Sequence, residues 1–385
     1  MTQTQEQSKK QADQRGLAGQ VIGDTSVCLV NQTQLIYRGY EIADLAENAT
    51  FEEVAYLLLV GNKPTSSELT TFKEEIIGMR AIPESVKDAI IHIAQNSPET
   101  HPMSVVRTAI SLLSHLCPTC EDNSAAADLK KSMYLLAQIP TCIGVHQMAL
   151  DGKTPVDPDP NLDHAANLLW CMNGEVPHES AAKVMDVSLI LYAEHDFNAS
   201  TFTCRVIAST NSDLHSCVCG GIGALKGNLH GGANEAAMEM LQEIMVAVEG
   251  GTTTEAFMKD AFETKKKLMG FGHRVYKNGD HRAGILRGWG LKYAQSANPD
   301  AKKWFDLGDE VQAIMLRDKN IHPNVDFPCG MTYFALGIPV PQYTPIFVAS
   351  RITGWCAHVM EQHQNNRIIR PLAQYTGAEL RNWND

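Results

Sequence analysis

The 385-residue chain is long enough for two domains, or for one large domain carrying an insertion. Its 44% hydrophobic and 20% charged residues are those of a soluble globular protein, and a formal net charge of −12 argues against nucleic acid or an anionic membrane surface as the main partner. No apolar run approaches the roughly 20 residues that span a bilayer. The polar, Gln- and Lys-rich stretch 1–16 reads as a disordered tail with neither a secretory nor a transit pattern, so a cytoplasmic location is expected.

Strand signals are confined to 26–30 and 35–37, which flank a polar turn and predict a small hairpin near the N-terminus. Beyond it the pattern is helical. Thr50 and Glu53 form a capping box ahead of apolar Val54, Leu57 and Leu58, closed by Gly61. Thr65 and Glu68 repeat the device before a helix that ends near Gly78, and Pro83 opens a run with Val86, Ile90 and Ile93 on one face. Apolar periodicity predicts further helices over 102–116, 125–139, 162–172, 181–193, 233–248, 254–269, 301–316 and 345–362. Strands and helices do not alternate as they do around a nucleotide-binding sheet, so the fold class is all-α. Gly220, Gly221 and Gly223 are accordingly read as close helix packing, not as a dinucleotide fingerprint.

The ten cysteines are scattered and, in a cytoplasmic chain, are expected to be free thiols. Cys117-Pro118-Thr119-Cys120 is the one CxxC pair. A zinc site needs four ligands and the sequence has no second pair to complete one; a thioredoxin-like motif would follow a strand, whereas this pair follows a helical run. No metal and no cofactor is expected.

The chemistry concentrates in two glycine-flanked histidines and one acid. His230 lies in Leu229-His230-Gly231-Gly232-Ala233-Asn234, just before a predicted helix, where free N–H groups and the helix dipole disfavour an imidazolium. A neutral histidine there suits donation to a developing oxyanion; a capping histidine packed in the core is the plainer alternative. His273 sits in Gly270-Phe271-Gly272-His273 with Arg274, Lys277 and Arg282 close behind, a positive cluster that invites phosphate or carboxylate groups unless it is a solvated basic loop. Asp326, in Pro323-Asn324-Val325-Asp326-Phe327, has apolar neighbours; burial would turn a feeble base into a useful one, and a turn-capping aspartate is the alternative. The stretch 192–201 crowds polar groups, His195 among them, at the end of an apolar run, which is costly unless they pair or bind something. Arg351 falls within an apolar helical run and Arg370 precedes Pro371; a buried arginine needs an acid, which either a substrate or the chain itself could provide.

Taken together, these patches resemble the citrate synthase family. The likeness runs from Tyr37-Arg38-Gly39-Tyr40 and His101-Pro102-Met103, through 194–203 and 229–235, to Arg370-Pro371 and Tyr375-Thr376-Gly377, covering about residues 17 to 378. It implies a mostly helical homodimer. A large domain (17–225 and 332–385) would carry an inserted, mobile small domain (226–331) that closes when oxaloacetate binds. It further implies that Asp326 removes a proton from the acetyl methyl group of acetyl-CoA, that His230 stabilises the enolate oxygen and that His273 polarises the ketone of oxaloacetate. His195, Arg282, Arg351 and Arg370 would hold oxaloacetate, Arg370 reaching in from the partner subunit, with Arg274 and Lys277 as candidates for the CoA phosphates. The resemblance is to an acyltransferase that makes citrate and releases CoA by thioester hydrolysis.

Two features depart from the family pattern: Asp280-His281-Arg282 stands where Asp-Pro-Arg is frequent, and Pro328-Cys329 follows Asp326. Both keep the acid and the arginine and bear on loop rigidity and acyl preference. The competing readings are a 2-methylcitrate synthase, which would use propionyl-CoA, and a non-catalytic ligand sensor on the same scaffold. A sensor needs no base, so His230, His273 and Asp326 together weigh against it.

Overall fold

The computed structural model describes Leu17 and residues 19–383; the tail expected over 1–16 lies outside the described residues. Three short antiparallel strands, β1 (Cys28–Val30), β2 (Leu35–Tyr37) and β3 (Tyr40–Glu41), pair in that order. The third strand was not predicted. It exists because Arg38 and Gly39 both adopt positive φ, 48° and 94°, and make a tight two-residue reversal between the paired Tyr37 and Tyr40.

The rest is helical: α1 (Ile42–Asn48), α2 (Phe51–Val60), α3 (Ser66–Gly78), α4 (Glu84–Asn96), α5 (Pro102–His115), α6 (Ala125–Leu150), α7 (His164–Asn173), α8 (Glu179–Tyr192), α9 (Ala199–Ala208), α10 (Leu214–Leu225), α11 (Ala233–Glu249), α12 (Thr254–Glu263), α13 (His281–Ala297), α14 (Lys302–Lys319), α15 (Asp326–Ala335) and α16 (Tyr343–Gln364). Both predicted capping boxes form, at Thr50 with Glu53 and at Thr65 with Glu68. Among the described residues no helix is long and apolar enough to cross a membrane.

Three departures from the sequence reading have physical causes. Helix α6 runs through Pro140 to Leu150 instead of stopping near 139, because residues 139–148 are buried and their burial outweighs the hydrogen bond that proline forfeits. Helix α12 stops at Glu263, six residues early: Lys265 turns left-handed (φ 57°) and Lys266 N–H closes back on the Ala261 carbonyl. Helices α10, α13 and α15 escaped prediction because glycine or proline interrupts their patterns. Their glycines are contact points. A Cβ on Gly221 would lie 2.6 Å from Cys204 Sγ on α9, and one on Gly290 would lie 2.2 Å from Thr332 Oγ1 on α15.

Helix α16 is buried along nearly its whole length and packs against α2, α6, α8, α9 and α10. Helices α11 to α15 pack mainly on one another and meet the remainder where α13 touches α1 and α8 and where α11 touches α16. The residues singled out in the sequence gather at this junction.

Candidate active site

The end of α8 and the turn to α9 resolve the polar crowding of 192–201. Asn198 caps α9, its Oδ1 accepting the Ser200 and Thr201 amides at 3.1 and 3.0 Å. Glu194, fully buried, accepts from His358 Nε2 at 2.9 Å, and its own carbonyl accepts the Tyr37 hydroxyl at 2.9 Å. Asp196 takes a left-handed φ of 54°, a conformation that costs free energy and that the fixed groups on either side impose. His195 faces the junction, where its Nε2 lies 3.0 Å from the Tyr276 hydroxyl, while the second carboxylate oxygen of neighbouring Glu194 is buried without a hydrogen-bond partner. Burial, the Arg282 guanidinium and then His273 and Arg351 drive its pKa well down, so it is neutral.

His230 lies in the turn that joins α10 to α11, its amide bonded to the Gly227 carbonyl at 2.9 Å. The Ser200 amide donates to its Nε2 at 3.3 Å, with Ser200 Oγ 2.9 Å from the same nitrogen. An amide can only donate, so the ring proton resides on Nδ1, which becomes the available donor. Ser200 Oγ is itself fixed by donation from Trp355 Nε1 at 3.1 Å. Burial, and secondarily Arg351, lowers the His230 pKa to about 4. The expected neutral donor at a helix start is therefore present, with burial as its first cause.

His273 is fixed in the opposite tautomer. Its Nδ1 accepts the Val275 and Tyr276 amides at 3.1 and 3.2 Å, which leaves the proton on Nε2. Its ring stacks on Tyr276 (4.6 Å between centroids) and meets the His195 ring edge-on at 5.1 Å. Burial and Arg282 again push its pKa down to about 4. The turn is sewn to the segment before Asp326: Gly272 N–H bonds the His322 carbonyl at 2.8 Å, Asn324 N–H the Gly270 carbonyl at 2.9 Å, and Asn324 Nδ2 the Gly272 carbonyl at 2.9 Å. Asn324 Oδ1 then accepts the Asp326 amide at 3.0 Å. These bonds carry the second histidine and the acid to the same place.

Asp326 opens α15, and its carboxylate accepts the Tyr192 hydroxyl at 2.8 Å. Burial raises its pKa to about 6, against the opposing pull of that hydrogen bond and of Arg282. Tyr192 packs edge-on against Phe347 at 4.3 Å; the same ring lies 6.5 Å from His230 and 4.7 Å beneath the Arg351 guanidinium. One phenyl ring thus lies beside Tyr192, which bonds Asp326, and beside His230 and Arg351.

The two buried arginines differ. Arg282 is bonded to Asp280 through Nε (3.0 Å) and Nη2 (2.8 Å), an acid that also accepts the Val325 amide at 3.1 Å. Arg351 donates Nε to the Tyr192 carbonyl at 2.7 Å and has no ion pair among the described residues. Arg274 and Lys277 are exposed on the His273 turn, Lys277 Nζ donating to the His273 carbonyl at 3.1 Å. Arg370 is exposed on the extended segment after α16 and does not join the other residues within this chain.

Two of the glycines beside the histidines are required by close packing. They admit the chain's own atoms: a Cβ on Gly231 would lie 2.6 Å from Leu225, and Gly270 (φ 81°) would place one 2.8 Å from Phe327. The sequence reading gave no role to Tyr192, Ser200 or Tyr276. Tyr192 and Ser200 were visible only as members of the polar run; which of them touches Asp326 or His230 is a tertiary fact.

A family model described as citrate synthase, C-terminal domain, matches residues 16–372. The chain is 44% identical over 370 residues to a 2-methylcitrate synthase of Shewanella oneidensis, covering 95% of each. It is 41% identical to citrate synthase 2 of Bacillus subtilis, covering 95% of this chain and 96% of that one. Among solved structures, a ternary complex of carboxymethyl coenzyme A and oxaloacetate with citrate synthase from the archaeon Thermoplasma acidophilum superimposes with a TM-score of 0.88 at 31% identity, covering 96% of this chain and 97% of that one. The chain therefore belongs to the citrate synthase family.

Proposed function

We propose that this enzyme condenses acetyl-CoA with oxaloacetate and hydrolyses the resulting thioester to citrate and CoA. It is an acyltransferase of the class that converts acyl to alkyl on transfer. The observation that carries the reading is the linkage, through Tyr192 and Phe347, of a carboxyl group whose pKa is raised to about 6 with a histidine that is neutral and presents Nδ1–H. A thioester α-proton is far too weakly acidic for an aspartate alone, so a fixed donor at the enolate oxygen is the physical requirement, worth about 2.7–4 kcal/mol.

In this reading Asp326 takes the proton from the acyl α-carbon while His230 Nδ1–H donates to the thioester oxygen. His273, through Nε2–H, polarises the oxaloacetate ketone as the carbon–carbon bond forms. Arg351 and His195 hold the keto acid. Arg282 serves there with its charge already shared with Asp280, and Arg274 and Lys277 meet the CoA phosphates. No cofactor beyond the two substrates is required. Residues 226–331 form the closing domain, and its movement over the junction excludes water from the enolate.

Arg370 completes the keto-acid site of a partner subunit in a homodimer. In support, the segment after α16 is extended and carries exposed Leu372, Tyr375, Leu380 and Trp383, apolar side chains that a second copy would cover. The ten free cysteines suit a reducing cytoplasm.

The second reading, propionyl-CoA giving 2-methylcitrate, is favoured by the 44% identity to the Shewanella enzyme. One methylene is worth about 1–3 kcal/mol of discrimination, so activity with both is expected. Measuring kcat/KM for acetyl-CoA and propionyl-CoA with saturating oxaloacetate separates the two: a higher value for acetyl-CoA supports the first reading, and a higher value for propionyl-CoA replaces it with the second.

A further inference from the structure

The CxxC pair set aside in the sequence finds its missing ligands in the fold. Cys117 and Cys120 form a turn after α5, closed by Cys120 N–H to the Cys117 carbonyl at 3.1 Å. The chain returns to this spot 93 residues later at the start of α10. There Asp213 caps the helix, its Oδ1 accepting the Ser216 amide at 2.9 Å and its other oxygen the Ser216 hydroxyl. Cys120 Sγ lies 3.6 Å from Asp213 Oδ1 and 3.9 Å from His215 Nδ1, and those two atoms are 3.9 Å apart. Asp213 and His215 are buried.

Zinc bonded tetrahedrally to sulfur, imidazole nitrogen and carboxylate oxygen sets S···N and S···O at about 3.6 Å and N···O at about 3.4 Å. The observed triangle differs from that face by about 0.5 Å at most. We propose that Cys120, Asp213 and His215 bind a zinc-class divalent ion, with Cys117 as the fourth ligand. The Cys117 thiol lies beside the Thr119 hydroxyl at 3.8 Å, in the same turn as Cys120. A thiolate–imidazole–carboxylate set favours zinc or its borderline neighbours over magnesium or calcium, which prefer all-oxygen sites.

The surroundings are built to hold the turn. Lys131, fully buried and paired with Asp128 at 3.0 Å, donates to the Cys120 and Asp122 carbonyls at 3.0 and 2.6 Å, placing positive charge beside ligands that carry excess negative charge once metallated. The ion ties the loop between α5 and α6 to α10, the helix that leads into the His230 turn, so its role is structural and lies outside the condensation chemistry. A disulfide between the two cysteines is the chemical competitor.

The test is a titration of the full-length chain, purified with reductant and stripped by a chelator, with Co²⁺ followed by Zn²⁺. The proposal expects a thiolate-to-cobalt charge-transfer band and tetrahedral visible bands that saturate at one equivalent per chain, with proton release and displacement by Zn²⁺. Cys120→Ser abolishes the band while condensing activity reports that the variant is folded, and His215→Gln weakens binding at least tenfold. Should Cys120→Ser not fold, Cys117→Ser carries the test, with a weaker band and at least tenfold lower affinity. The absence of a saturable thiolate band in the wild type overturns the proposal. So does a band unchanged in the variant tested, or a Cys117–Cys120 disulfide that forms in air with metal present.

Discussion

Two buried guanidiniums that both act on His195 are treated in different ways by this molecule. Arg282 on α13 is held in a two-bond clasp by Asp280, and the pair is further tied to the backbone of Val325. Arg351 on α16 makes no ion pair among the described residues: it donates to a carbonyl and lies over an aromatic ring, with the buried Glu194 carboxylate acting on it from beyond ion-pair distance. Burial alone does not mark a ligand site. A cation clasped by an acid of its own chain has less of its charge free than one that makes no ion pair, so the two are expected to contribute unequally to an anion site.

The sharpest way to break this contrast is to truncate each arginine in turn. Arg282→Leu strands Asp280 as an uncompensated buried charge and is expected to cost about 3–5 kcal/mol in chemical denaturation. Arg351→Leu removes a charge that makes no ion pair and acts on buried Glu194 only from beyond ion-pair distance, and is expected to change stability by about 1 kcal/mol, the worth of its one hydrogen bond. Its effect falls on binding: KM for oxaloacetate should rise about 100-fold, in line with loss of a charge pair worth about 2–5 kcal/mol. Equal destabilisation by both substitutions would erase the distinction.

Next in size is Tyr192→Phe. The Tyr192 hydroxyl favours the charged form of Asp326, so losing it should raise that pKa above its present value of about 6. In a pH profile of kcat/KM, the acidic limb of the wild type is expected near pH 6, reporting Asp326, since His230 and His273 with pKa values of about 4 stay neutral throughout. The limb should move to higher pH in Tyr192→Phe, with kcat lower by about tenfold, the range of a misplaced general base. A limb that did not move would show that this hydrogen bond does not tune the base.

How much of this was legible beforehand divides along the same physical line. The capping boxes, the long apolar runs and the candidacy of His230, His273 and Asp326 could be read because they depend on residue type and local spacing. The helices carrying Gly221, Gly290 and Pro328 could not, because packing against another helix, not local propensity, justifies those residues. The arginines make the point again: both sit in readable contexts, yet only the fold reveals that Asp280 satisfies one of them. At Gly231 and Gly270 likewise, only the fold reveals the close neighbours, Leu225 and Phe327.

The smallest expected effect concerns stability. Asp326 binds its proton more tightly in the folded chain than at its ordinary value of 3.8, so folding holds extra protons between about pH 4 and 6 and stability declines as pH rises through that window. At neutral pH the penalty is fully present, and Asp326→Asn should stabilise the fold by on the order of 1 kcal/mol, visible as a higher Tm than wild type at pH 7.5 that vanishes near pH 4.

The same substitution, examined for function, tests the central claim: that Asp326 is the base served by two neutral histidine donors. Calorimetric titration of Asp326→Asn with oxaloacetate, alongside its turnover with acetyl-CoA and propionyl-CoA, should give a Kd within about threefold of wild type while kcat falls by about 10³ or more with either acyl group. Turnover within tenfold of wild type would place the base elsewhere and contradict the account.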